Sequence, residues 1–287
     1  KRVLDADAMG WTKAHVKMRL TITDKKNRKK VRALEIKGAT LGKRAHTLVR
    51  FAEPAELAGT AMLMREEPAG STTQLLYQPT YDKIRPIGAA SKGERFMGTD
   101  FSYSDFEKRD TEEGVYSFAA DKACGKAMCR VVEIKPKTGL LNNEFGKIEL
   151  QVHPKAQVPL RTLFFAKDGK KMIKSMTVNR LRKHQGRYVV FAATMKDMQR
   201  VSKTRVDVLA IDFNAKFGAA DFSEAALRGR EDRRATRDME ERVGRGACGL
   251  RETGRRETSG RGRVGGAPCC AGRPAPRVGS RTWCPLE

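Results

Sequence analysis

One stretch decides the fold of this chain: Phe96-Met97-Gly98-Thr99-Asp100-Phe101-Ser102-Tyr103-Ser104-Asp105-Phe106. Its four aromatic residues and its Met fit neither a regular strand nor a regular helix. Phe101 and Tyr103 alternate with polar residues as on a half-buried strand, whereas Ser102 followed by Asp105 is typical of a capping pair that opens a helical turn. Two interpretations stay open. The stretch is either a loop whose rings complete a core or a lid whose rings close a hydrophobic cavity.

On both sides of this stretch, short segments alternate apolar and polar residues, as strands with one solvent-exposed face do. The clearest run is Val16 to Ile22, and Asp168-Gly169 indicates a tight hairpin turn. About eleven such segments, joined mostly by turns, predict one large curved antiparallel sheet in a mainly β (α+β) fold. Its apolar concave face needs a cover. The sequence offers an N-terminal helix ending near Trp11, a turn at Pro54 and the aromatic stretch, which together leave room for a cavity.

Three segments, in matching order and spacing, resemble the outer membrane lipoprotein-sorting family of LolA-like domains. They are Glu94 to Tyr103, Leu48 to Leu63, and Leu75 to Pro79 continued by Lys83 to Ile87. The resemblance runs from about Val3 to Arg228 and implies an incomplete barrel closed by a few short helices. It also implies a periplasmic home in a Gram-negative envelope. The first turns of the N-terminal helix, with a signal peptide or a lipoprotein anchor site, are expected upstream of Lys1.

The resemblance, together with stacked apolar faces rich in adaptable Met side chains, predicts a lipid-binding cavity. Each lining residue taken singly fits an ordinary core equally well. The expected lining is Met18, Leu20, Leu34, Ile36, Met62, Met64, Leu76, Phe96, Met97, Phe101 and Phe106. The family motif contributes Gly98, Thr99, Asp100 and Tyr103.

Three arginines in or beside the motifs, Arg50, Arg85 and Arg95, are expected to contact lipid headgroups or a donor membrane. The alternative for each is a solvated arginine at a strand edge. Two cysteines, Cys124 and Cys129, flank a plausible turn, and the periplasmic home that the resemblance implies favours a disulfide between them. Free buried Cys is the alternative.

The expected function is therefore a carrier or chaperone that shields acyl chains during transport, without covalent chemistry. Its cargo would be an acyl lipid or a lipoprotein, taken from an inner-membrane exporter and passed to an outer-membrane acceptor. A free lipid delivered to an export pump is equally open. No nucleophile–base motif, phosphate-binding loop or metal-ligand spacing is present, so we expect no enzyme, catalytic residue, metal or cofactor. We expect a monomer without a transmembrane segment, since no apolar run is long enough to span a bilayer.

The strong positive charge raises a second function class. A net charge of +24 fits a nucleic acid or an anionic lipid surface as partner. No basic platform with interleaved aromatics supports nucleic-acid binding, so this remains the alternative. The densest cluster, Lys25, Lys26, Arg28, Lys29 and Lys30, is predicted to lie in a hairpin turn. It is interpreted as a solvated turn, or else as a contact for headgroups or an acidic partner.

The composition changes after Arg228 and divides the chain into residues 1–228 and 229–287. The second part holds 14 Arg and no Lys, with four Cys and no Ile, Phe or Tyr. Such a segment is predicted to be disordered because it buries too little apolar surface. An Arg/Gly-rich nucleic-acid tail and a metal site at Cys248, Cys269, Cys270 and Cys284 are two interpretations. We favour a third, out-of-frame translation of a GC-rich gene, which sequencing the locus tests.

Overall fold

The computed structural model describes residues 13–68, 71–107, 114–125, 127–137 and 145–229. All of them belong to Lys1–Asp232, the first of two units into which the chain divides. The second unit, Arg233–Glu287, lies outside the described residues. The same holds for the expected N-terminal helix and for the predictions about the tail beyond residue 229.

Thirteen strands in the described residues form one antiparallel sheet. Their bounds are β1 His15–Thr23, β2 Lys29–Leu41, β3 Arg44–Glu53, β4 Ala61–Glu66, β5 Thr72–Gln78, β6 Lys83–Pro86, β7 Gly114–Cys124, β8 Ala127–Pro136, β9 Lys147–Val152, β10 Pro159–Phe165, β11 Met172–His184, β12 Arg187–Asp197 and β13 Ser202–Asp212. A four-residue helix, α1, spans Glu224–Leu227. Among the described helices, none has the length and apolar character that crossing a membrane requires.

The expected fold class, a large antiparallel sheet not closed into a barrel and with few helices, is confirmed. There are thirteen strands where about eleven were expected, and several run past the alternating segments. Strand β2, for example, extends from Lys29 to Leu41. Backbone pairing does not depend on side-chain polarity, so it continues into charged strand ends that hide the alternation.

The strand order is β6-β5-β4-β3-β2-β1-β13-β12-β11-β10-β9-β8-β7. The first and last strands therefore pair in the middle of the sheet, and β6 and β7, which follow each other in sequence, form its two opposite edges. Pro86 lies on the edge strand β6, where its missing N–H interrupts no ladder. The chain between β6 and β7 must consequently pass from one edge of the sheet to the other.

Alternation gives the sheet two apolar faces. The inner face carries a continuous buried cluster from ten of the strands, including Val16, Leu34 and Leu150. The outer face carries a second cluster in which Leu48 and Leu63 pack against Phe222 and Leu227. The segment after β13 thus covers part of the outer face, a role that the sequence analysis did not assign to it.

Candidate functional site

Residues 87–107, here called the strap, are the described part of the connection between the two sheet edges. The strap is irregular, with short 3-10 turns at Phe96–Gly98 and Tyr103–Phe106. Met97 and Gly98 both adopt left-handed conformations, with φ of 47° and 73°, which glycine tolerates at no steric cost. The predicted capping pair opens the second turn, where the Ser102 N–H donates to Asp105 Oδ2 at 2.7 Å.

The strap turns its aromatic rings onto the inner face of the sheet. Phe96 lies at the centre of this ring cluster, with ring centroids 5.6 Å from Phe51 of β3, 5.6 Å from Tyr103 and 4.7 Å from Phe106. Phe101 reaches Phe106 at 5.9 Å. Such offset and edge-to-face pairs add about 0.5–1.5 kcal/mol each to the burial of the rings.

Asp100 fixes the middle of the strap to β13. Its buried carboxylate accepts a hydrogen bond from Thr204 Oγ1 at 2.6 Å and another from Ser202 Oγ. The Asp100 N–H donates to Thr204 Oγ1 at 2.9 Å. Arg95 Nη2 lies 3.4 Å from the same carboxylate and balances its charge. These contacts offset the cost of burying the carboxylate, because hydrogen bonds satisfy its oxygens and Arg95 balances its charge.

The end of the strap is fixed to two strands that are distant in the sheet. Gln74 Nε2 on β5 donates to the Tyr103 carbonyl at 3.1 Å and to Glu107 Oε1 at 3.0 Å. Lys174 on β11 forms a buried ion pair with Asp105. Lys92, within the strap, pairs with Glu107 at 2.6 Å.

These contacts show how strongly the sheet is curved. Strands β5 and β11 are separated by seven strand spacings, roughly 34 Å on a flat sheet. Yet they contact Tyr103 and Asp105, which are two residues apart in the strap. The sheet must therefore bend around the strap, with the inner face concave. The strap is the cover that the concave face requires.

All eleven predicted lining residues meet in the inner-face cluster. Nine of them are buried there, and Met97 and Phe106 are half-buried and pack against it. The motif residues Thr99, Asp100 and Tyr103 are buried as well. The structure thus places these side chains on one continuous surface, packed against the strap. Their role in binding lipid remains a prediction.

The three predicted arginines do not lie together. Arg50 is on the outer face, where its guanidinium donates to the carbonyls of Ala226 and Leu227 at the end of α1. Arg95 belongs to the strap, with Nε donating to the Thr99 carbonyl at 2.6 Å. Arg85 is exposed on β6, pairs in register with the inner-facing Leu76 and acts electrostatically on Tyr103. Headgroup contact at Arg50, Arg85 and Arg95 remains a prediction.

Charge and burial perturb two groups around the strap. Burial lowers the pKa of Arg32, and the charge of Arg95 lowers it further, while Glu56 raises it. Arg32 reaches the strap, since a Cβ on Gly98 would lie 3.5 Å from its Nη2. Burial also raises the pKa of the Tyr103 hydroxyl. The guanidinium groups of Arg32 and Arg95 therefore lie beside the apolar ring cluster of the strap.

The tethering residues on the sheet, Gln74, Lys174 and Thr204, were missed by the sequence analysis. A signal for them exists, because each is a polar residue at an inward position of an alternating strand. Thr204 precedes the inward residues Val206 and Val208, and Lys174 lies between Met172 and Met176. A polar residue in an apolar register needs a partner, and here the strap supplies it.

A disulfide joins Cys124 and Cys129 at the turn between β7 and β8, with their Cα atoms 5.8 Å apart. It lies away from the strap, at the far edge of the sheet. A pocket of about 370 Å³ lies elsewhere, between the β1–β2 and β12–β13 turns, and is lined by residues of both turns, among them Asp24, Asp197 and Val201. Within the described residues, no group of three or more His, Cys, Asp or Glu is arranged to hold a metal.

Comparison with known proteins agrees with this architecture. A protein-family model described as "-like: Uncharacterized protein" matches residues 43–229, more than half of the chain. No curated protein matches the sequence. The fold is shared with a domain named for outer membrane lipoprotein sorting from Vibrio parahaemolyticus, at 21% identity and a TM-score of 0.69 over 76% of this chain and 92% of that one.

Two further solved structures share the fold. A DUF1329 family protein from Desulfovibrio piger is 21% identical, with a TM-score of 0.71 over 79% of this chain and 95% of the other. A LolA superfamily protein from Nitrosomonas europaea is 13% identical, with a TM-score of 0.60 over 77% and 96%. The chain thus has the fold of the LolA-like proteins. It belongs to the family whose model matches residues 43–229, and its fold confirms the resemblance that its motifs show.

Proposed function

We propose that this protein is a periplasmic carrier that shields acyl chains of lipids or lipoproteins against its concave inner face, beneath the strap. It acts as a chaperone between membranes of a Gram-negative envelope and performs no covalent chemistry. The cargo is taken from an inner-membrane donor and passed to an outer-membrane acceptor. A free lipid delivered to an export pump is an equally suitable cargo, because hydrophobic burial does not discriminate finely between chains.

One observation carries the proposal: a wide apolar face is covered by an irregular segment whose rings pack on it and whose backbone is anchored by polar side-chain contacts. Asp100, Gln74 and Lys174 mark the three places where the strap is fixed to the sheet. Polar contacts exchange readily with water, since a typical hydrogen bond contributes only about 0.5–1.5 kcal/mol net. If the strap is released, the inner-face cluster is exposed along its length.

The energetics support an exchange between strap rings and an acyl chain. A chain with about 14 buried methylene groups gains roughly 11 kcal/mol, at about 0.8 kcal/mol per group. Four strap aromatics leaving the inner face lose roughly 6–12 kcal/mol, at about 1.5–3 kcal/mol per side chain. The two sums are close. A carrier requires this balance, because cargo that is bound far more tightly than the strap could not be handed on.

Two strap-side arginines fit the polar end of such a cargo. Arg85 lies exposed on the edge strand β6, and Arg95 is one third exposed beside Asp100. Guanidinium groups bind phosphate and carboxylate in bidentate geometry. We assign them to headgroup contact at the edge of the strap, with the acyl chains beneath it.

A fluorescent 16-carbon fatty acid tests the proposal when it is titrated into the full chain in the absence of vesicles. The wild type should bind it, and Phe191→Asp on the inner face of β12 should weaken binding at least about tenfold, because a carboxylate then lies against the chain. Phe217→Asp is the matched control. It also places a carboxylate on a half-buried Phe, but on the outer face, and should leave binding unchanged. No saturable binding by the wild type, or equal losses in both variants, would refute the carrier.

A further inference from the structure

Three hairpin turns at one end of the sheet share a composition that the proposed function does not explain. They connect β1 to β2, β12 to β13, and β10 to β11, which are consecutive pairs in the strand order. Because all strands are antiparallel, these three turns lie at the same end of the sheet. The predicted hairpin of Lys25 to Lys30 is the first of them, and Thr23 pairs with both Lys29 and Lys203 across the strands.

Each turn has the same internal design, in which one Asp caps the backbone. Asp24 Oδ1 accepts from the N–H groups of Lys26 and Arg28 at 2.9 and 3.0 Å. Asp168 Oδ1 accepts from Lys170 and Lys171 at 2.9 and 3.3 Å.

The third turn repeats the pattern: Asp197 Oδ1 accepts from the N–H groups of Gln199 and Arg200, both at 2.9 Å. In all three turns the acidic residue is engaged in holding the turn. The carboxylates are thus directed to the backbone rather than to the lysines around them.

The basic side chains of these turns are exposed, and they outnumber the three carboxylates. Arg28 and Arg200 pair with the Asp of their own turn. In the part of the chain that the structure describes, the lysines form no ion pair. They are Lys25, Lys26, Lys29, Lys30, Lys167, Lys170, Lys171, Lys196 and Lys203. The three turns, here called the cationic end, therefore present a surface of uncompensated positive charge.

We propose that the cationic end docks on the surface of an anionic phospholipid bilayer. Three adjacent hairpins span six strands, roughly 24 Å measured along the rim of the curved sheet, and a rim of strand ends can rest on a flat surface. Each Lys near an anionic leaflet contributes favourable free energy that falls off within a Debye length. The pocket between the first hairpin and the middle one is lined by Lys196 and Lys203, and by Asp24 and Asp197, whose carboxylates accept from the backbone of their turns.

An apolar residue at the tip of the middle hairpin favours a bilayer over nucleic acid. Val201 is 67% exposed and adopts a left-handed conformation, with φ of 53°. A β-branched residue is rarely found there, and core packing does not account for it. At a bilayer its side chain meets the apolar boundary beneath the headgroups. Nucleic acid would instead call for stacking aromatics, and these turns contain none.

The cationic end also lies next to the strap. Asp100 is fixed to Ser202 and Thr204, on either side of Lys203, and Lys174 is three residues from Lys171. A bilayer bound at this end would face the strap directly. This inference rests on the proposed carrier function. With the cationic end bound to a bilayer, an acyl chain could pass between the membrane and the inner face without crossing water.

Vesicle flotation with the full chain tests the docking surface. Vesicles containing about one third phosphatidylglycerol are compared with pure phosphatidylcholine vesicles, at low and at high salt. The first variant replaces one lysine in each turn of the cationic end: Lys26→Gln, Lys170→Gln and Lys203→Gln. The matched control makes the same charge change at the opposite end of the sheet, with Lys43→Gln, Lys155→Gln and Lys183→Gln. These lysines are likewise exposed, and every variant keeps the same Arg-rich tail.

The wild type should bind the anionic vesicles in a salt-sensitive manner and should not bind the zwitterionic ones. The first variant should bind about 100-fold more weakly, at about fivefold per lysine, and the control should change less than about threefold. Val201→Ser should weaken binding about two- to fivefold without altering the salt dependence.

Equal losses in both triple variants, or no binding to anionic vesicles, would overturn the docking surface. Tighter binding to duplex DNA than to vesicles at the same salt, lost in the first variant only, would assign the surface to nucleic acid instead. The fatty-acid titration without vesicles separates the two proposals. The first triple variant should retain the wild-type affinity for the probe, whereas failure of the carrier function abolishes probe binding in every variant and leaves vesicle binding intact.

Discussion

Removing the Asp100 carboxylate should release the strap while leaving the sheet intact. In Asp100→Ala the hydroxyls of Thr204 and Ser202 lose their acceptor in a buried site. An unsatisfied buried polar group costs about 1–3 kcal/mol, so the two together cost roughly 2–4 kcal/mol once some water enters. The pair with Arg95 adds little, because its guanidinium is one third exposed.

That cost applies to the closed state and not to the state in which the strap is released. The opening equilibrium should therefore shift by about 30- to 1,000-fold, at tenfold per 1.4 kcal/mol. Hydrogen exchange followed by mass spectrometry on the full chain should show faster exchange by that factor within residues 94–107. The amides of β12 and β13 should keep their wild-type protection, since local opening leaves those ladders paired.

A second readout separates a lid from a merely structural loop. If the open strap is the binding-competent state, a larger open fraction tightens the apparent affinity for the fatty-acid probe. Asp100→Ala should then bind the probe more strongly, although its stability is lower.

The control for this experiment is Asp207→Ala on the same strand. Its carboxylate accepts from Arg205 at 2.8 Å on the outer face, and a surface pair of this kind contributes about 0–1 kcal/mol. Exchange that rises uniformly over the sheet in Asp100→Ala, or that rises equally in both variants, would show that the strap is not an independent element.

Three further predictions concern stability. The pKa of Glu35 is lowered from 4.5 to about 2 by His15, whose Nε2 lies 3.6 Å from the carboxylate, and by Lys17; the resulting stabilisation is present above about pH 4.5 and is lost as the pH falls toward 2. Because Glu35 is one third exposed, Glu35→Gln should remove roughly 1–2 kcal/mol of this acid-sensitive stability in urea unfolding, and an unchanged pH profile would contradict it. Gly146→Ala should destabilise by more than about 3 kcal/mol, or abolish soluble expression, because the new Cβ would lie 2.3 Å from a backbone carbonyl oxygen; a wild-type melting temperature would refute it. Cys124→Ser should cost roughly 2 kcal/mol, as expected for a short disulfide loop, and hydrogen exchange should localise the loss to β7 and β8 and not to the strap.

The sequence predicted those features that depend on interactions between residues close together in the chain. Alternation in Val16 to Ile22 predicts a strand with one buried face, and Asp168-Gly169 predicts the tight turn between β10 and β11, because both depend on neighbours within a few residues. The capping pair Ser102 and Asp105 is local in the same sense. These signals were enough for the fold class and for the apolar set on the inner face.

The tethers of the strap illustrate what local signals omit. Asp100 was assigned only to the family motif, and its carboxylate accepts from Thr204, which lies 104 residues away. Arg50 lies beside a motif in the sequence, and the structure adds a contact with α1 on the outer face, 176 residues further along the chain. No spacing within one segment encodes such a pairing.

The sequence alone determined which residues alternate, which turns are tight and which side chains form an apolar surface, because backbone geometry and hydrophobic pattern act between near neighbours. The tertiary structure decided where the strap crosses. It placed β6 and β7 at opposite edges, bent the sheet around the aromatic rings and brought three lysine-rich turns to one end. Those outcomes depend on which distant strands pair, and pairing is selected by the burial of the whole inner face rather than by any one segment.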